Sequence, residues 1–364
     1  MSILQSHGFA ALAIGAVVLA ASAPARGAST VVYVSNADSQ EVSVLSLERS
    51  TGELKLIETV GVGGTAMPMA LSPDRRMLYV ALRSQPFRVV SFAIDAKTGR
   101  LTKRGEASLA DSMANIDVDR SGRWLFAASY GGHKITVNAI GQDGNVGAVQ
   151  QVMATAPNAH AIHADAANRY VLATSLGGDN VSVWRFDAAT GKLSANEPAL
   201  VTTQAKSGPR HFVWDASQRH AYLLCELDAS LYAYDWDAAK GALQEVQRTT
   251  ALPSGFSGGA PWAADLHLTP DGRFLYASER RSSTLAAYRV DAASGRLELI
   301  GHVPTEKTPR GFAIDPSGRF LIAAGQDSHA VTVHAIDSSS GALTVVGRTP
   351  LGKNPNWVEI VELP

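Results

Sequence analysis

The chain reads as an all-β protein, a seven-bladed β-propeller with four-stranded blades, closed by the C-terminal strand pairing into the N-terminal blade. Three observations predict this. A strand preceded by a turn recurs seven times, with register residues Tyr33, Tyr79, Phe126, Leu172, Tyr222, Tyr276 and Ile322 at intervals of 46 to 54 residues. A glycine-containing turn keeps step with it at Gly52, Gly99, Gly144, Gly191, Gly241, Gly295 and Gly341. The last segment, Asn354-Pro-Asn-Trp-Val-Glu-Ile-Val361, repeats the pattern of Thr308-Pro-Arg-Gly-Phe-Ala-Ile314. A period in the forties built of short strands belongs to propeller blades, not to a helical solenoid.

Taken in order, the chain begins with an apolar run from Phe9 to Ala21, too short to span a bilayer as a mature helix. Small residues follow it, and Ala21-Ser22-Ala23 and Ala23-Pro24-Ala25 are candidate cleavage sites. This is signal-peptide anatomy except that no Lys or Arg precedes the run. Residues 1–28 are therefore expected to be a cleaved signal peptide and residues 29–364 a single propeller domain, periplasmic or secreted. The competing readings are a wrongly chosen start codon, which leaves the protein cytoplasmic, and an uncleaved anchor.

The first unit opens directly on the strand Val31-Val-Tyr33-Val and so lacks an inner strand of its own. Each later unit supplies an inner strand, a reversal, and the register strand, as in Asp271-Gly-Arg-Phe-Leu-Tyr276 and Ser317-Gly-Arg-Phe-Leu-Ile322. The Thr-Gly turns, clearest at Thr51-Gly52, Thr98-Gly99 and Thr190-Gly191, then join two further strands, glycine permitting the positive φ of a short hairpin. The C-terminal strand returns to fill the gap in the first blade, which leaves no long free sheet edge.

Composition narrows the function. With 364 residues, 46% hydrophobic and 18% charged, a large core is available. A formal net charge of -1 gives no support to nucleic-acid or anionic-membrane binding, and neither partner is expected. Cys225 is the only cysteine, which excludes an internal disulfide and a multi-cysteine zinc site. No histidine spacing resembles a metal triad and no glycine loop cradles phosphates ahead of a helix, so neither a metal nor another cofactor is expected.

In each unit the inner strand runs away from one face and the register strand returns to it. Positions twelve before and four after the register residue therefore meet at one mouth of the central channel. The inner set is Met67, Ala114, His160, Arg210, Ala264, Arg310 and Asn356; the returning set is Ala37, Arg83, Tyr130, Leu176, Glu226, Arg280 and Gln326. Arg210 and Glu226 are predicted neighbours, and four arginines, a glutamate and a histidine gather on one face. The two longest intervals place extra residues before Arg210 and before Ala264, and the glycine-rich Leu252–Pro261 stretch is a candidate flap on the same side.

The segments Gly208-Pro-Arg-His211, Trp262-Ala-Ala-Asp-Leu-His267-Leu-Thr-Pro-Asp-Gly-Arg-Phe-Leu-Tyr276, Pro309-Arg-Gly-Phe312 and Phe320-Leu-Ile-Ala-Ala-Gly-Gln-Asp-Ser-His329 resemble the seven-bladed propeller lactonases. That family includes the propeller-type bacterial 6-phosphogluconolactonase and the fungal carboxy-muconate lactonizing enzyme, and the resemblance covers residues 31 to 361. It implies a carboxylic-ester hydrolase, a lactonase, with a His, two Arg and a Glu at the channel mouth, here matching His160, Arg210, Glu226 and Arg280. A signal peptide departs from the cytoplasmic phosphogluconolactonases and puts the phosphorylated sugar lactone in question as the substrate.

Lactone opening needs an attacking water, a base and a donor for the developing oxyanion. His160 is the expected acid/base, and Glu226, ionised among arginines, its positioning partner. Arg210 and Arg280 serve the oxyanion, while Arg83, Arg310, Gln326 and His267 are candidate substrate contacts. Each has a structural counter-reading: the arginines and Glu226 as inter-blade ion pairs, His160 as packing, and His163, His267 and His329 as strand residues. Cys225 should face into its blade by strand alternation, not act as a nucleophile. The expected partner is a small-molecule lactone acted on by a monomer. A cycloisomerase on a muconate-type acid and an exported binding scaffold remain as alternatives, because the fold hosts both catalysis and binding.

Overall fold

The structure, a computed structural model, describes residues 1–2 and 29–363. The Phe9–Ala21 run and nearly all of the expected signal peptide lie outside the described residues. From Thr30 onward the described chain forms seven antiparallel sheets of four strands each. A single turn of 3₁₀ helix, Leu176–Gly178, is the only helical element among the described residues.

The ring closes as the sequence predicts. The final strand, Pro355–Glu362, pairs antiparallel with the first, Thr30–Asn36, placing Val31 opposite Val361 and Tyr33 opposite Glu359. The first blade is thus built from both ends of the domain. Blades two to seven follow in chain order, each with its inner strand first.

Burial explains why the repeat is legible. The strand after each inner strand, such as His220–Cys225 or Phe274–Glu279, is buried along its whole length. Sandwiched between neighbouring blades on both faces, it must be apolar nearly throughout. The outermost strands, such as Val146–Ala154, alternate between half-buried and exposed because only one face is covered.

The two repeating markers meet across blade boundaries. Tyr33 of the first blade donates its hydroxyl to the carbonyl of Gly99 in the second at 2.8 Å, and Tyr276 of the sixth does the same to Gly341 of the seventh at 2.8 Å. Gly99 sits at φ +71°, and a Cβ there would lie 2.6 Å from a methyl of Val31, so the turn can press against the preceding blade only as glycine. Reversals between inner and second strands are tied by one acceptor side chain. Asp215 receives the amides of Arg219 and His220, and Asp315 those of Ser317, Arg319 and Phe320.

Candidate active site at the channel mouth

Irregular pairing shapes the mouth. In the fifth blade Pro209 pairs with Cys225 and His211 with Leu224, so the ladder steps past Arg210. Equivalent shifts occur between Ala159 and Ile162, Ala263 and Leu266, and Pro309 and Phe312. Each inserts one extra residue into the inner strand, the defining feature of a β-bulge, which re-aims side chains that strict alternation would turn away. Gly208, at φ +69°, leads into the bulge; a Cβ there would lie 2.7 Å from Leu227, whose amide bonds the Ser207 carbonyl.

Arg210 and Glu226, sixteen positions apart, are joined as expected, with Arg210 Nε donating to Glu226 Oε2 at 2.8 Å. Arg280 of the next blade donates Nη2 to the same oxygen at 2.7 Å. The two guanidinium groups are anchored further by backbone. Arg210 Nη1 donates to the Ala264 carbonyl, while Arg280 donates to the carbonyls of Trp262 and Ala263, both at 3.0 Å. The Arg280 guanidinium also lies 3.9 Å from the centre of the Trp262 ring. Both arginines are nearly wholly buried, yet Arg210 Nη2 and Arg280 Nη1 have no protein partner among the described residues.

Arg83 and Arg310 complete the cationic mouth. Arg83 donates Nε to Ser112 Oγ at 2.9 Å and packs Nη1 against the sulfur of Met67 at 3.7 Å. Arg310, half-buried, has no side-chain hydrogen bond or ion pair among the described residues. Burial, then Arg210, Arg280 and Arg83, push its pKa well down. Burial and Arg210 lower Arg83 as well. Burial and Arg210 take Arg280 down to about 9, partly opposed by Glu226, and it remains a cation at neutral pH. Burial works to raise Glu226, but Arg210 and Arg280 outweigh it, so its carboxyl ends below the usual range. Four guanidinium groups against one bonded carboxylate leave a formal charge of +3.

His160, 3% exposed, completes the group. Burial, then Arg210, His211 and Arg310, hold it neutral well below its ordinary pKa. Its ring stands edge-on to Tyr130 at 6.1 Å and to His211 at 5.0 Å between centroids. Gln326 donates to Asn354 Oδ1 at 2.8 Å, bracing the seventh blade against the closing strand. Asn356 is likewise occupied by the carbonyls of Ser35 and Ala66, each at 3.2 Å.

His267 is the exception. It lies farther along its inner strand, opposite Tyr276, and its Nε2 is 3.2 Å from Asp265 Oδ2. It lines a separate cavity of about 350 Å³ with Asp117, His163, Trp357 and Glu359. The sequence placed it with the arginines because it lies in the same segment, whereas three further residues of strand carry it away from the mouth. Between the two chambers, His211 and Trp357 meet across the channel with ring centroids 5.8 Å apart. In the far chamber two carboxylates already hold imidazoles, Asp117 lying 3.1 Å from His163 Nδ1 and Asp265 2.7 Å from His211 Nδ1, and Glu359 accepts from Trp357 Nε1 at 2.9 Å. Unpaired cationic capacity is at the arginine mouth.

Sequence reasoning did not single out His211 and Asp265. His211 follows Arg210 directly, and alternation would send the two side chains to opposite faces; the bulge brings both inward. Cys225 is fully buried, and burial pushes its thiol up to about 12, which agrees with a packing role. The Leu252–Pro261 stretch crosses between strands without regular structure, next to Trp262.

The chain matches the family described as "Lactonase, 7-bladed beta-propeller" over residues 29–360. It is 44% identical to a protein named 6-phosphogluconolactonase from Pectobacterium carotovorum subsp. carotovorum over 285 residues, covering 78% of this chain and 84% of the relative. A 6-phosphogluconolactonase from Serratia proteamaculans is 40% identical over 287 residues, covering 78% and 85%. Among solved structures, the periplasmic gluconolactonase of Pseudomonas aeruginosa superposes with a TM-score of 0.87 at 28% identity, covering 92% of this chain and 100% of that one. The chain belongs to the seven-bladed β-propeller lactonase family.

Proposed function

We propose that the protein hydrolyses a sugar lactone bearing an anionic group, at the arginine mouth. The observation that carries this reading is Arg310, a cation crowded by three other arginines and lacking a carboxylate partner among the described residues. A phosphate or carboxylate on the substrate supplies that partner, with Arg83 beside it. Arg210 Nη2 and Arg280 Nη1 then donate to the lactone carbonyl oxygen as it becomes an oxyanion. Water forms the new bond to the carbonyl carbon, its proton passes to His160, and the carbonyl π pair moves onto oxygen. Collapse of the tetrahedral species breaks the ring C–O bond, and His160 returns the proton to the departing ring alkoxide. The product acid then ionises. Glu226 keeps the two buried guanidinium groups in place.

The test compares phosphorylated, carboxylated and neutral sugar lactones with the purified protein. Arg310→Ala should raise KM for the anionic lactone roughly tenfold and leave a neutral lactone nearly unaffected, the pattern of a lost binding contact. Equal loss on both substrates would refute the anion assignment. Absence of turnover on every lactone, with anions still raising the melting temperature, would leave an anion-binding propeller. The Phe9–Ala21 run further supports an exported protein whose mature chain begins between Ser22 and Thr30. Export shifts the preferred substrate toward sugar lactones met outside the cytoplasm.

A further inference from the structure

We propose that Asp265 and His211 act as a positioning relay behind His160, fixing its tautomer and drawing charge away from it when it accepts a proton. The proposal deepens the lactonase reading and rests on it for the role of His160 as base. His211 Nδ1 lies 2.7 Å from Asp265 Oδ1. The amide of Leu266 donates to Oδ1 at 3.0 Å, and His267 Nε2 at 3.2 Å and the Phe312 amide at 3.3 Å approach Oδ2. Burial works to raise Asp265, but His267 and His211 outweigh it and hold the carboxyl well below the usual range. An ionised carboxylate only accepts, so His211 carries its proton on Nδ1 and presents a lone pair at Nε2.

That Nε2 is buried without a partner, and so is Nδ1 of His160 on the adjoining ring, 5.0 Å away between centroids. Buried polar atoms call for partners, and these two satisfy each other when His160 carries its proton on Nδ1 and turns it toward His211 Nε2. His160 Nε2, which has no hydrogen-bond partner among the described residues, is then the lone pair left to accept a proton. The groups around His160 are Arg210, Arg280, Arg310, Tyr130 and His211; those around His211 are Arg210, His163, Asp265, His160 and Trp357. Three guanidinium groups oppose a positive charge on His160. As water loses its proton to His160 Nε2, the Nδ1 proton moves to His211 Nε2. The charge then rests on His211, which donates Nδ1–H to Asp265. Reversal of these two transfers returns the proton to the leaving alkoxide. Nothing is oxidised or reduced, and the relay ends as it began.

Imidazole nitrogen spectra of the full-length protein labelled with ¹⁵N-histidine, assigned with His160→Gln and His211→Gln, read the tautomers without any assay of activity. Both residues should carry the proton on Nδ1 at neutral pH, and Asp265→Asn should mix the two tautomers of each. In kinetics, His211→Phe should lower kcat roughly a hundredfold with KM within about twofold, on the scale of lost acid–base catalysis. His211→Gln, whose Oε1 replaces the Nε2 acceptor, should recover about tenfold of that loss. Asp265→Asn should displace the acidic limb of the pH–rate profile, which a packing role alone would leave in place. A His160 proton on Nε2 in the wild type, or wild-type kcat in His211→Phe, overturns the relay. A wild type inactive on every lactone refutes the lactonase reading instead, while the spectra still decide the tautomers.

Discussion

Replacing Glu226 by Gln changes no volume and removes one charge from beneath two buried arginines. In the native mouth a single oxygen of Glu226 accepts from Arg210 at 2.8 Å and from Arg280 at 2.7 Å. The carboxylate is 13% exposed and the guanidinium groups 1% and 2%, so solvent screens little of the interaction. Removing one partner of such a buried pair costs about 3–5 kcal/mol, because the remaining charges stay buried. A domain of about 335 residues unfolds with an entropy near 0.7 kcal/mol/K at about 2.1 cal/mol/K per residue, so the melting temperature should fall by about 4–7 °C. The effect carries a pH signature. The folded carboxyl titrates below its ordinary value of 4.5. Its stabilisation is therefore fully present above the unfolded pKa and disappears as pH falls through the lower folded one. Melting curves of wild type and Glu226→Gln should differ at pH 7 and converge as the pH is lowered through the depressed folded-state value. Inorganic phosphate at about 100 times its Kd should return about 2.7 kcal/mol to the variant. Equal melting temperatures at pH 7 would show that the arginines do not depend on Glu226, and the account of the mouth's charge would be wrong.

Two further outcomes are expected. Tyr33→Phe removes the inter-blade bond to the Gly99 carbonyl and leaves that oxygen short of a partner, so equilibrium denaturation should show a loss of about 1–3 kcal/mol; an unchanged denaturation midpoint would mean that the bond contributes nothing to holding the first two blades together. Mass spectrometry of the protein recovered from its native host should give a mature N-terminus between Ser22 and Thr30 in a fraction outside the cytoplasm; an intact Met1 in a cytoplasmic fraction would overturn export and favour a phosphorylated cytoplasmic substrate.

The blade count, the closure by the C-terminal strand and the meeting of Arg210 with Glu226 were legible in the sequence, because all three follow from local rules. Strand period and hairpin register are set by residues close in the chain, and the repeat multiplies them seven times. The same arithmetic brought Arg83, His160, Arg280, Arg310 and Gln326 to one end of the ring. It failed where local rules break. The extra residue in each inner strand turns His211 and Asp265 into the channel beside Arg210 and Ala264, and no residue type announces that insertion. His267 was drawn to the mouth by its sequence neighbours, but position along the strand put it in the other chamber. That Glu226 serves Arg280 as well as Arg210, that Arg310 is left without a carboxylate, and that Trp357 meets His211 across the channel were decided by blade-to-blade packing. Those contacts join residues tens to well over a hundred positions apart, and only the closed ring fixes their distances.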